Sequence, residues 1–192
     1  MPIPAHAPAT YADLEALPPN MVGELIDGAL VAMPRPAPRH AISANSLGDE
    51  ITGPFQKGRG GPGGWIFMVE PELHFGTQVL VPDLAGWRRE RMPTMPETAF
   101  VEVAPDWLCE VVSPSTEQYD RGAKRRIYGQ VGVQHMWLLN PISRHLEVWV
   151  NRDDDLVFQE LIEDGEDVSA DPFAAISFPI KGLWGFEDED AS

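Results

Sequence analysis

WLCEVV (residues 107–112), followed without a break by SPSTEQYDRGAK (residues 113–124), is the stretch that decides the fold. The first run is six residues long and apolar except for Glu110. That is the length and character of a central strand covered on both faces. Ser-Pro-Ser-Thr then makes a turn, and Ser115 and Gln118 stand at capping-box spacing. The spacing predicts a helix that runs to Val131 before Gly132 stops it, with Ala123, Ile127 and Val131 as its buried stripe.

Upstream, WIFMV (65–69) and VLVPDLAGW (79–87) read as two further strands that build a core sheet with WLCEVV. Downstream, HMWLLN, HLEVWVN, LVFQEL and AAISF read as strands, the middle ones as an antiparallel meander. Toward the N-terminus, VGELI and ALVAM flank Asp27-Gly28, a turn pair that favours positive φ, so residues 22–33 are predicted to form a hairpin carrying Glu24 on its first strand. Thr10 and Asp13 mark a short capped helix ending before Pro18. Ala44, Leu47, Ile51 and Phe55 recur at spacings of three and four, which predicts an amphipathic helix over residues 40–55. KGRGGPGG (57–64) lacks the Gly-Lys-Ser/Thr ending of a phosphate-cradling loop and is expected to be a mobile loop. The expected organisation is one domain over residues 1–186 and an acidic disordered tail, EDEDAS, over 187–192.

No apolar run is long enough to span a bilayer, and the first residues lack the layout of a signal peptide, so a cytosolic protein is expected. The single cysteine, Cys109, lies inside an apolar run and reads as a buried, inert thiol. The net charge of −16 weighs against a nucleic-acid partner, because phosphate binding is largely electrostatic. It is unevenly spread, however. Residues 153–192 hold 13 acids against one lysine and so carry −12 of it. The bases of the remaining chain cluster at Arg35 and Arg39, at Arg88, Arg89 and Arg91, and at Arg121, Lys124, Arg125 and Arg126. Each cluster alone reads equally as a solvated face.

Three polar residues stand where a purely structural sequence would place apolar ones. Asp83 follows Pro82 within VLVPDLAGW, Glu110 interrupts WLCEVV, and Lys124 rises from the next helix. A carboxylate inside a buried strand costs several kcal/mol, about the penalty of an unpaired buried charge, unless it is paired or binds a cation. Two such carboxylates on neighbouring strands repel each other. A divalent cation between them removes both problems, and oxygen ligands suit Mg²⁺ or Mn²⁺. Taken singly, Asp83 fits a turn cap after Pro82 and Glu110 fits a core salt bridge. Asp120, four residues before Lys124, reads as a surface ion-pair partner. Tyr128 reads as packing on the sheet, and His40 as a surface histidine at a helix start.

GELIDG (23–28), His40 after a proline-rich segment, VPDLAGW, LCEVVSPST, DRGAKRRIY and GVQHMWLLNP form an ordered set. That set resembles the motifs of the Uma-type putative restriction endonuclease family, in the PD-(D/E)XK nuclease superfamily, across roughly residues 10–150. The resemblance implies an α/β (α+β) fold, a restriction-endonuclease-like mixed sheet flanked by helices. It also implies a Mg²⁺-dependent endonuclease with Asp83, Glu110 and Lys124 as catalytic core. Asp83, Glu110 and the Val111 carbonyl would hold the metal, and Glu24 could add a ligand. Val112 stands where the superfamily's lysine usually lies, so its work falls to Lys124. Asn140 stands where the family commonly has Asp. The expected partner is nucleic acid, DNA in the first place, with Arg35, Arg39, His40, Arg88, Arg121 and Arg125 around one cleft and a homodimer for cutting both strands. A catalytically inactive binding module, or a hydrolase of RNA or small phosphodiesters, is the alternative. On this reading Lys124→Ala leaves folding almost unchanged.

Overall fold

The computed structural model of the chain describes residues 7–185, so the tail expected at 187–192 lies outside the described residues. A short helix, α1 (Tyr11–Glu15), leads into the hairpin of β1 (Met21–Ile26) and β2 (Ala29–Pro34). Its turn places Asp27 at φ 51° and Gly28 at φ 79°, the pair of positive angles that the Asp-Gly signal anticipates. Helix α2 (Pro38–Ile51) continues through a π-helical turn (Thr52–Gln56). Strands β3 (Trp65–Val69), β4 (Leu73–Phe75), β5 (Gln78–Leu80), β6 (Leu84–Arg88) and β7 (Trp107–Val111) follow. A helical segment is built from α3 (Glu117–Tyr119), a π-helical turn (Asp120–Lys124) and α4 (Arg125–Gln130). The described chain closes with β8 (His135–Asn140), β9 (His145–Arg152), β10 (Asp155–Glu163), the two-residue strands β11 (Asp167–Val168) and β12 (Phe178–Pro179), and a 3-10 turn (Ile180–Trp184).

Six strands form a central mixed sheet in the order β10-β9-β8-β7-β6-β3, and a second sheet is ordered β2-β1-β5-β4. Within the central sheet β7 and β8 run parallel, while the other pairs are antiparallel. Parallel neighbours need a long crossover, and the helical segment 117–130 is that crossover. The meander of β8, β9 and β10 matches the reading of the sequence.

Because side chains alternate along a strand, β7 feeds two cores at once. Trp107, Cys109 and Val111 pack with Ala44, Leu47, Ile51 and Phe55 of the α2 side, so the predicted stripe of that helix is buried throughout. Leu108 and Val112 face the other way, into a core with Ile127, Tyr128 and Leu156 and with Ile26, Val31 and Leu80 of the second sheet. Glu110 shares their parity. It therefore points at the helical segment and the small sheet.

Four local expectations are corrected. VLVPDLAGW is two strands, not one: Pro82, which has no N–H to give a ladder, separates β5 in the small sheet from β6 in the central one. Asp83 thus stands at the crossing between sheets. The N-cap position of α3 is Thr116 without a side-chain cap bond, because Ser113 Oγ shares hydrogen bonds with Ser115 and Thr116 at 3.0 Å each. Of AAISF only Phe178 joins a strand, and Ala123 and Val131 are half-buried while Asp120, Lys124 and Tyr128 point fully inward.

Gly129 shows how closely α4 meets β10. A Cβ there would lie 2.8 Å from the Asp154 carbonyl oxygen and 3.1 Å from the Leu156 nitrogen, both backbone atoms that yield little. Gly129→Ala is expected to cost about 1–3 kcal/mol, the range for forced overpacking. Urea denaturation checks this, and an unchanged midpoint would mean that α4 and β10 can part without loss.

Candidate active site

The centre of the site is an ammonium group among acids. Lys124 Nζ lies 2.8 Å from Glu110 Oε1, 2.9 Å from Glu24 Oε1 and 3.4 Å from Asp120 Oδ1, and all four side chains are at most 3% exposed. The elements explain the meeting. Glu110 faces out of β7, Glu24 comes from β1 of the sheet packed over it, and Asp120 and Lys124 come one turn apart on the helical segment between β7 and β8. Tyr128, a further turn along, donates its hydroxyl to Glu110 Oε1 at 2.8 Å. Glu24 Oε1 also accepts the Val81 N–H at 2.7 Å, tying it to the chain just before Pro82.

Asp83 joins from the sheet crossing. Its Oδ2 accepts the N–H of Val111, next to Glu110, at 2.7 Å, and its Oδ1 lies 3.3 Å from His40 Nε2. Asp83, Glu110, Asp120 and Lys124 line one cavity of about 320 Å³, which Ser113, Thr116, Arg35 and His40 also reach. The three residues expected to carry chemistry therefore line the same cavity.

The electrostatics follow from burial with too few cations. Burial pushes Glu110 up; Lys124 opposes, but Asp120, Asp83 and Glu24 add to the rise, and its pKa ends well above the usual carboxylate value. Burial also raises Asp120 against the pull of Lys124. For Lys124 burial acts downward, yet Glu110 and Glu24 more than offset it and hold the ammonium well above its ordinary pKa. Tyr128 is raised by burial and by Glu110, so it stays a donor. At His40 burial lowers and Asp83 raises, and the sum is upward.

The bases expected to gather round a cleft do not converge. Arg35 reaches the cavity and donates to the Pro19 carbonyl at 3.3 Å. Arg39 is exposed on the first turn of α2. Arg88 stands at the far end of β6 with its guanidinium over the Trp65 ring. Arg121 forms a fork with both Glu147 oxygens, at 2.7 and 2.6 Å, and bonds Glu117. Arg125 pairs with Asp155 and lies over Trp149, and Arg126 pairs with Asp27. His40 is not the surface histidine of the sequence reading: its ring is turned onto Asp83. Asn140 works as a turn cap, its Oδ1 accepting the N–H groups of Ile142 and Ser143 at 3.0 Å. Asp120 and Tyr128 are the site residues that sequence reasoning misses. Their spacing of four from Lys124 is the available signal.

The sequence profile of the Uma2 family, described as putative restriction endonucleases, matches residues 8–181. The chain belongs to the Uma2 family. A crystal structure from Anabaena variabilis, described as a putative nuclease belonging to DUF820, is similar at a TM-score of 0.73 and 23% identity, covering 92% of this chain and 98% of that one. At that identity the likeness establishes the fold. No curated protein matches. Among the described residues of this Uma2 chain, no helix is long and apolar enough to cross a membrane.

Among the described residues no group of three or more His, Cys, Asp and Glu side chains is gathered in metal-ligating geometry, since Lys124 Nζ occupies the space between Glu24 and Glu110. The donor set nevertheless fits a hard divalent cation. Its donors are oxygens, three carboxylates face one ammonium with Asp83 beside them, and Glu24 Oε2 is buried without a partner.

Lys124→Ala, expected from the sequence to be neutral for folding, is instead predicted to cost about 3–5 kcal/mol, because it strands buried carboxylates. Glu110→Gln should do the opposite and raise the thermal midpoint by a few degrees. A raised carboxyl pKa makes the folded state hold its proton more tightly, so stability falls as pH rises above about 4.3 and the gain of the glutamine grows over that range. Thermal melts of both variants from pH 4 to 8 test this; a Glu110→Gln protein less stable at every pH overturns it.

The His40 ring offers a separate check. Its raised pKa means the His40–Asp83 contact stabilises fully below about 6.5 and is lost as pH climbs through the folded value. NMR titration should place the His40 midpoint above 6.5, and Asp83→Asn should lower it; a midpoint unmoved by that substitution rejects the pairing.

Proposed function

We propose that this Uma2 chain is a Mg²⁺-dependent endonuclease that hydrolyses phosphodiester bonds in DNA. The observation that carries the reading is the convergence of Asp83, Glu110 and Lys124, from three separate elements, on one cavity of about 320 Å³. Family membership supplies nucleic acid as the substrate class.

Asp83, Glu110 and the Val111 carbonyl would hold the cation, and Glu24 would add a ligand directly or through water. When bound, a divalent ion polarises a phosphoryl oxygen and lowers the pKa of water. Lys124 stays protonated among its acids, orients the attacking water and balances the negative charge of the pentavalent transition state. Asp120 fixes the lysine from its own helix face. Tyr128 keeps Glu110 Oε1 aimed at Lys124, and His40 holds Asp83 at the cavity mouth. One site per chain makes one cut, so cleavage of both strands of a duplex calls for a second copy acting alongside the first.

The experiment is cleavage of plasmid and short duplex DNA with Mg²⁺ or Mn²⁺, beside RNA of matching sequence. Wild-type protein should cut DNA only with the metal, while Asp83→Asn and Glu110→Gln, verified as folded, should lose activity by orders of magnitude. Mn²⁺ should raise the thermal midpoint of wild type more than that of Glu110→Gln. Folded wild type that neither binds nor cuts DNA would leave an inactive binding module as the better reading, and cutting confined to RNA would replace the substrate.

A further inference from the structure

Of the bases read from the sequence as a phosphate-binding patch, His40, Arg121 and Arg125 are held by acids and Arg88 lies over Trp65, which leaves open what grips the nucleic acid. The described surface contains a second, larger hollow of about 800 Å³. It shares Pro36, His40, Glu70 and Asp83 with the catalytic cavity, so the two are continuous. From there it follows α2 past Ala41, Asn45 and Gly48, with Phe67 and Val69 of the edge strand β3 as its other wall. At its far end lie Gln56, Lys57 and Arg59. Val69 is 71% exposed there, an apolar surface beside the opening.

Lys57 and Arg59 belong to the glycine-rich segment 57–64, which the sequence predicts to be a mobile loop. It is tied down. Arg59 N–H donates to the Gly53 carbonyl and Gly63 N–H to the Pro54 carbonyl, each at 3.0 Å. Gly58 and Gly60 take φ of 65° and 74°, and a Cβ on Gly61 would fall 2.5 Å from the Pro54 side chain. The glycines thus let the backbone fold back onto the π-helical turn and present two bases in a fixed place. Unlike Arg121, Arg125 and Arg126, neither Lys57 nor Arg59 has an ion pair or side-chain hydrogen bond among the described residues.

Resting on the nuclease reading above, we infer that the groove along α2 carries the nucleic-acid strand away from Asp83, and that Lys57 and Arg59 hold its phosphates at the far end. From His40 to Gln56 the helix advances about 24 Å at 1.5 Å per residue. Duplex backbone advances about 3.4 Å per nucleotide in each strand, so the two bases meet the strand roughly seven nucleotides from the scissile phosphate. Asp49, Glu50 and Glu70 also line the groove and repel a phosphate chain. The grip is therefore weak overall and sharply dependent on salt.

The test compares wild type with Lys57→Ala/Arg59→Ala on DNA duplexes that extend four or twelve base pairs to either side of the cleaved bond. Each phosphate that the protein no longer neutralises should reduce the slope of log affinity against log salt by about 0.9, so the double variant should show a slope smaller by about 1 to 2. Wild type should favour the longer arm on one side, and the variant should lose that preference. Lys57→Arg/Arg59→Lys, which keeps both charges, should retain it. The Mn²⁺-induced rise in thermal midpoint should be the same in all three proteins, since none of the changes touches the acids. An unchanged slope and arm-length preference in the alanine variant overturns the groove assignment while leaving the nuclease reading intact. Wild type that binds and cuts no DNA removes both.

Discussion

The arrangement of the candidate site depends on one buried cation. The Lys124 ammonium joins three pieces of chain: β1 of the small sheet through Glu24, β7 of the central sheet through Glu110, and its own helical segment through Asp120. Withdrawing four such groups from water is expensive, and only their mutual attraction in a poorly polarisable interior offsets it. The small sheet is consequently more than a cover. It brings the Glu24 carboxylate that Lys124 requires, and through Val81 it sets where the chain crosses into the central sheet and delivers Asp83.

The same arrangement leaves negative charge in excess. Carboxylates from residues 24, 110 and 120 share one lysine, and Asp83 beside them has His40. Local repulsion of this kind is a stability loss that the fold carries at this cavity. The π-helical turn at Asp120–Lys124 belongs to the same picture: irregular turns of this type recur at functional sites, and here one carries both an acid and the lysine into the interior.

The sheets, the α2 stripe and the three central residues are legible in the sequence because each breaks or obeys a local period. Glu110 in an apolar run and Lys124 one helix later are conspicuous for that reason. Asp120 is not legible, since an acid four residues before a lysine on a helix has the signature of a solvated pair. It is buried because the helical segment turns it inward beside Lys124, into the cavity. Pro82 reads as part of a strand, whereas its missing N–H is what releases the chain to the other sheet. The arginines mislead for a related reason. Arg121 looks available until the register of β8 with β9 places Glu147 beneath it. Asn140, a departure from an expected acid, is explained by the turn it caps.

The distance in sequence between Glu24 and Lys124 governs when the constellation can exist. During synthesis Glu24, Asp83, Glu110 and Asp120 are all made before Lys124, so an incomplete chain holds four carboxylates without the ammonium that three of them share. Closing that ring needs both sheets seated on the helical segment. A constellation assembled in this way is therefore absent from every partly folded form that lacks either sheet or the helical segment.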